Sequence, residues 1–305
     1  MGRDAEVHGV LVVDKPKGPT SHDVVAWARR ALHTRAVGHA GTLDPMATGV
    51  LVLAIGEATK LVPYLTLDEK AYEFELVLGA ETDTLDAEGE VTERAEVPAL
   101  DEKTVRDALA RFVGPQEQRP PIYSAIKVDG VALHKRARRG DVVEAPMRSV
   151  TVHDLSLRSL APLAFGVRAS KGFYVRSLGR DLARALGTVG HLGALRRVAS
   201  GPFGLETAVP GDMLQKARQD AELGAEIARR VLSLETAVGS FHRVSLDART
   251  EADARAGRLV RPAPDLEEGA FVAMLGVGGD LVAIGERRGD ALAVRRGFRA
   301  FTVDD

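Results

Sequence analysis

Asp44 lies within Gly38-His-Ala-Gly-Thr-Leu-Asp-Pro-Met-Ala-Thr-Gly-Val50, where three glycines bracket one histidine and one carboxylate. A carboxylate held ionised beside a substrate can add to an electrophilic carbon or remove a proton. Pro45 keeps the backbone of Asp44 out of the helical region, and the glycines tolerate angles and close approaches that other residues resist. An isolated Asp-Pro would be only a turn. At this length the pattern predicts a loop presenting Asp44 and His39 to a ligand, anchored by the apolar run at 50–55. Arg176 stands at a strand-to-helix junction in an apolar neighbourhood, where a guanidinium needs a carboxylate or phosphate partner.

Other chemistries find no support. With no cysteine, disulfides, thiolate nucleophiles and zinc–thiolate sites are excluded. The eight histidines are dispersed without a His-x-x-x-His pair, so no metal is expected. No Walker loop is present, and the glycines around His39 lack a phosphate-cradle spacing.

The elements that must position these residues follow from periodicity. Residues 9–14 read as a buried strand, broken by Lys15-Pro-Lys-Gly-Pro19. Thr20-x-x-Asp23 is a helix-start signal, with a helix expected over 23–32 and Trp27 at its solvent boundary. A strand at 50–55 and a short helix at 57–65 come next. From Lys70 to Gly79 the sequence alternates, with Tyr72, Phe74, Leu76 and Leu78 on one face. Residues 81–89 are a polar, turn-rich link, read as shaping a loop, and 103–112 has helical spacing. Helical spacing also predicts a helix over 131–139 ended by Gly140. Strands are expected at 148–155 and 163–170, then a helix with Leu178, Leu182, Ala185 and Leu186 buried and Gly187 at its end. Residues 211–237 read as helical. Beyond Phe241 a short helix at 248–256 and glycine-punctuated strands at 270–275, 281–286 and 291–294 suggest a small β-barrel.

A chain of 305 residues, 45% hydrophobic and 28% charged, can bury a sizeable core, as one large domain plus a small one. No signal-peptide pattern is seen at the N-terminus, and no apolar run approaches the roughly 20 residues that span a bilayer; a cytoplasmic protein is expected. The net charge of −2 argues against an indiscriminate polyanion binder. Its charges are segregated, however. Residues 81–107 carry 10 acidic and 3 basic side chains, and residues 119–139 carry 6 basic and 1 acidic. The acidic block is expected to face solvent, and the basic one can form a local phosphate-binding surface.

The 38–50 stretch closely resembles the catalytic motif of the TruB family of tRNA pseudouridine synthases, Gly-His-x-Gly-Thr-Leu-Asp-Pro-x-Ala-x-Gly. Further matches follow in order: Lys15-Pro16, Lys70-x-Tyr72, Glu81–Gly89, Gln118–Gly130, Lys171-Gly-x-Tyr-x-Arg176 and Leu195–Phe203. The resemblance covers residues 10 to about 203 and fades across the C-terminal part.

This resemblance implies an α+β pseudouridine synthase fold, with a mixed, mainly antiparallel central sheet flanked by helices. Residues 1–240 would form the catalytic domain, with a thumb-like insertion at about 118–146 that closes over the tRNA T-arm. Residues 241–305 would form a PUA-like RNA-binding barrel. It implies Asp44 as catalytic aspartate, Arg176 as its partner and Tyr72 as the residue stacking on the target base, with a possible part in proton transfer. On the substrate-binding side it implies His39 filling the stack vacated by a flipped base, Leu195 in the pocket wall, and Lys15 bracing the catalytic loop. Lys127, Lys135, Arg136, Arg138 and Arg139 would meet phosphates, positioning RNA without reading its sequence; His134 stands where the family usually has tyrosine. The reaction, isomerisation of the T-loop uridine at position 55 of tRNA, needs neither cofactor nor metal. The partner is tRNA, with no membrane, no required protein partner, and a monomer expected. Two alternatives stay open: a guide-RNA-dependent rRNA pseudouridine synthase, and a tRNA-folding factor that binds without modifying.

Overall fold

The computed structural model describes residues 7–124, 126–128, 131–133, 136, 139 and 145–299. Its centre is a mixed sheet whose order, by residue range, is Val209–Pro210, Gly9–Lys15, Thr48–Ile55, Gly190–Ser200, Lys70–Leu78, Leu163–Ala169, Arg148–Leu160 and Gly114–Gln118. Two contacts are parallel, Gly9–Lys15 with Val209–Pro210 and Thr48–Ile55 with Gly190–Ser200; the other contacts along this order are antiparallel. The expected α+β class and mainly antiparallel sheet are both present.

The helix Ser21–Ala31 begins two residues earlier than its apolar spacing indicates, because Thr20 caps it and Asp23 closes a capping box. It packs with Glu102–Leu109 and Val175–Ala185 on the sheet face formed by Leu11, Leu53, Phe74 and Phe165. The opposite face of the first two long strands, through Val10, Val12, Val50 and Val52, is covered by Leu61, Leu65, Leu234 and the C-terminal Ala273 and Ile284. Long strands buried on both faces read as continuous apolar runs, as Gly9–Lys15 and Thr48–Ile55 do.

Several boundaries differ from expectation. The 57–65 helix is a 3-10 segment, Gly56–Leu61, running into Val62–Leu65. The 211–237 stretch divides into Gly211–Lys216, Ala221–Arg229 and Leu234–Ala237, the later two started by Asp220 and Ser233 caps. Within 118–146, Val131–Ala132 is a strand paired with Lys127–Val128 and not the first turn of a helix; Leu133 and Arg136 beyond it are helical. The Asp129-Gly130 dipeptide between the two short segments favours a hairpin over a helix start. His134, Lys135 and Arg138 lie outside the described residues, as does the Lys127 side chain.

The C-terminal part, expected as a small β-barrel, forms a four-stranded sheet, His242–Ser245, Phe271–Leu275, Leu281–Arg288 and Ala291–Gly297, in that order. Its outer strands do not pair with each other among the described residues. Among the described residues no helix is long and apolar enough to cross a membrane.

Candidate active site

The loop carrying Asp44 is tied down on three sides. Ser21, the first residue of its helix, holds Leu43 through both backbone groups, accepting from its N–H at 2.8 Å and donating to its C=O at 3.1 Å. Lys15 donates to the carbonyls of Pro16, Pro19 and Pro45 at 2.9, 2.8 and 3.2 Å, and the Gly18 N–H also reaches Pro45. Arg197 donates from Nε to the Val50 carbonyl at 2.7 Å and from Nη2 to Gly41 at 3.2 Å. Both flanks of the aspartate are therefore fixed before any ligand arrives. Gly49 makes the third tie possible. It holds φ +99°, and a Cβ there would sit 2.1 Å from the Arg197 carbonyl oxygen.

Lys15 is 0% exposed and its ammonium is engaged by backbone carbonyls, so it braces this loop. Burial draws its pKa down from 10.5 to about 8, against the raising influence of Asp44 and Glu88.

Asp44 and Arg176 come together as expected. Nε of Arg176 stands 2.8 Å from Oδ2 of Asp44. The contact is a close ion pair. One-third of the Asp44 side chain is open, towards a cavity of about 250 Å³ whose wall includes Asp44, Arg176, Tyr72 and Leu195. Burial pushes the Asp44 carboxyl above the ordinary 3.8; Arg176 opposes that rise and Asp86 adds to it.

Arg176 is in the first turn of Val175–Ala185 and only 4% exposed. Its Nη1 donates to the Thr84 carbonyl at 2.8 Å and its Nη2 to the Tyr123 carbonyl at 2.9 Å. Asp86, also 4% exposed, lies 3.5 Å from Nη1. Asp86 is fixed in turn by the Thr84 hydroxyl at 2.6 Å and the Glu88 N–H at 3.1 Å. Leu85 beside it takes φ +62°, a conformation uncommon for leucine, with its carbonyl bonded by the Leu192 N–H. The 81–89 link thus positions the arginine. Its sequence signal was a second carboxylate in a matched motif, hidden within an acidic block expected to face solvent.

Lys70 and Arg197 also line this cavity and were not singled out from sequence. The signal available was a cation sharing a strand face with apolar residues, Lys70 with Phe74 and Leu76, and Arg197 with Leu195. Lys70 donates to the Thr66 and Asp68 carbonyls, and burial with the nearby Arg197 lowers its pKa to about 8.

His39 ends the short strand Val37–His39 and does not contribute to the cavity wall. Its ring meets His22 edge-on at 5.2 Å, and burial with the neighbouring His22 and Arg197 lowers its pKa. Arg136 is half-buried and Arg139 exposed; neither lines the cavity. Among the described residues no three His, Asp or Glu side chains group closely enough to hold a metal ion.

Residues 29–175 match the TruB family pseudouridylate synthase N-terminal domain, and residues 176–239 the tRNA pseudouridylate synthase B C-terminal domain. The chain is 42% identical over 284 residues to the tRNA pseudouridine synthase B of Syntrophotalea carbinolica, covering 90% of each. It is 49% identical over 212 residues to the protein of that name from Opitutus terrae, covering 69% of the chain and 88% of the relative. Among solved structures it is similar to a chain of a Cbf5-Nop10-Gar1 complex, with a TM-score of 0.75, 27% identity, and coverage of 96% of this chain and 85% of the other.

Proposed function

The chain belongs to the TruB family of pseudouridylate synthases, and from that premise we propose how it acts as a tRNA pseudouridine synthase. Its substrate is the T-loop uridine at position 55, and the observation that carries the reading is the Asp44–Arg176 pair at the wall of a cavity. Pseudouridine formation breaks the N1–C1′ bond of uridine, turns the uracil, and joins C5 to C1′. The C5 proton leaves and N1 gains one, so no electron is lost or gained.

The ionised Asp44 begins this sequence by bonding C1′ as uracil departs, or by taking the C2′ proton. Both routes need a charged, accessible oxygen. Oδ2 faces Arg176, while Oδ1 has no partner among the described residues. Arg176 favours the charged form against desolvation, and Asp86, Thr84 and Tyr123 hold the guanidinium in place. Tyr72 and Leu195 supply the wall against which the uracil rests and turns. Removing the base from its stack costs roughly a few kcal/mol; His39, outside the cavity, supports the space it leaves. The basic residues of 118–146 meet backbone phosphates.

We infer a division at about residue 240, a cytoplasmic enzyme acting as a monomer without a protein partner, and no cofactor. Greater identity to a relative named tRNA pseudouridine synthase B, 42% against 27% for the chain of a Cbf5-Nop10-Gar1 complex, supports this over a guide-dependent enzyme. The test is to incubate the pure protein with a T-arm stem-loop and map pseudouridine. Conversion at the single T-loop uridine is expected; an unmodified RNA would overturn the reading.

A further inference from the structure

Beside the cavity that holds Asp44 lies another of about 470 Å³, and Thr66 and Gly172 line both. Arg148, Lys171 and the exposed Leu67 contribute to its wall. Gly172 has φ +80°, and Nη1 of Arg148 lies 3.7 Å from where a Cβ on it would stand. The guanidinium therefore lies close to the backbone shared by the two cavities. It acts on the Tyr174 phenol in the first cavity, opposing the pKa rise that burial causes. Lys171 acts with Arg197 to lower Lys70 on the same side.

Four cations thus surround the junction, yet neither Arg148 nor Lys171 has an ion pair or side-chain hydrogen bond among the described residues. Nearby carboxylates are engaged elsewhere: Glu69 with Arg168 and His153, and Glu117 with the Ser149 hydroxyl. Asp68 is a partial exception, being close enough to Lys70 to interact with it, but one of its oxygens is buried. Unbalanced positive charge at a cavity mouth attracts anions. A ligand matching both cavities is uncharged where it meets Asp44 and anionic where it meets Arg148 and Lys171. A nucleotide within an RNA strand has that distribution, its ribose inside and a backbone phosphate at the mouth.

We propose that Arg148 and Lys171 form a subsite for one of the two backbone phosphates flanking the reacting nucleotide. Arg148 supplies a planar two-point grip and Lys171 a point charge. The subsite rests on the functional reading above, and it adds binding without touching the reacting atoms.

The test uses synthetic T-arm stem-loops in which either flanking phosphate is replaced by a neutral methylphosphonate. Dissociation constants and single-turnover rates are measured for the wild type, Arg148→Ala and Lys171→Ala. Both side chains are exposed, and circular dichroism checks that the fold survives. On natural RNA each variant should bind about tenfold more weakly, the scale of one charge-assisted hydrogen bond. The single-turnover rate at saturating enzyme should change less than about threefold, and the salt dependence should fall by about one phosphate contact. On one of the two methylphosphonate RNAs the difference between variant and wild type should disappear. Unchanged binding in both variants overturns the subsite, as does a loss that persists on both modified RNAs. Absence of pseudouridine with wild-type protein would instead count against the functional reading, since the binding comparison reads the subsite independently of turnover.

Discussion

Asp44 and Asp86 share one guanidinium, with Oδ2 of Asp44 at 2.8 Å from Nε of Arg176 and Oδ2 of Asp86 at 3.5 Å from Nη1. The two carboxylates have different surroundings. Asp86 is closed in and held by Thr84 and Glu88, whereas Asp44 opens to the cavity. One is placed to orient the arginine, and the other is the carboxylate proposed to react.

Arg176→Lys should lower the single-turnover rate about 100-fold. Lysine cannot contact Asp44, Thr84 and Tyr123 together, and a shift of about an ångström at a reacting group has that effect. Asp86→Ala should lower the rate in the same direction while leaving RNA binding nearly unchanged. An unimpaired rate in either variant contradicts the orienting role.

The acid limb of the pH–rate profile should lie above that of an ordinary aspartate. Desolvation raises the Asp44 pKa from 3.8, so protonation removes the reactive form at a higher pH as acid is added. Asp86→Asn deletes a negative neighbour and should move the limb to lower pH. Single-turnover rates across the acid range check both, and an unshifted limb in the variant would count against the charge coupling.

Lys15 makes a stability prediction. Its folded pKa is about 8 against an ordinary 10.5, so between those values the unfolded chain holds a proton that the folded chain has released. Stability contributed by this group must rise with pH across that window. Melting temperatures of wild type and Lys15→Met, compared at pH 8 and pH 10, should therefore separate in favour of wild type at the higher pH. A difference that is flat or reversed would refute the burial cost assigned to this lysine.

Gly49→Ala should destabilise the protein by about 3 kcal/mol or more. The added methyl would meet the Arg197 carbonyl at 2.1 Å with φ at +99°, forcing apart the paired strands Thr48–Ile55 and Gly190–Ser200. Thermal or denaturant unfolding measures this, and a wild-type-like midpoint would show that the loop does not depend on that approach.

The sequence made the catalytic loop and the Asp44–Arg176 partnership legible because both lie in dense motifs with unusual residue requirements. The strands were legible because apolar runs and alternation repeat over several residues. Asp86 and Arg197 were not singled out, since their roles come from contacts with distant segments, the Thr84–Arg176 and Val50–Arg197 bonds among them. Lys70 likewise looked like an ordinary strand start. Periodicity could not distinguish the hairpin at Lys127–Val128 and Val131–Ala132 from a helix start, because so few residues carry the pattern. Within 211–237, caps at Asp220 and Ser233 interrupt composition that otherwise favours one helix.

The most direct test of the account is tritium release from C5-labelled uridine in a T-arm stem-loop by wild type and Asp44→Asn, with RNA binding measured alongside. Wild type should release tritium and the variant none detectable, with RNA affinity within about threefold, since the change removes a reacting charge and leaves the phosphate contacts intact. Release by Asp44→Asn at the wild-type rate would contradict it.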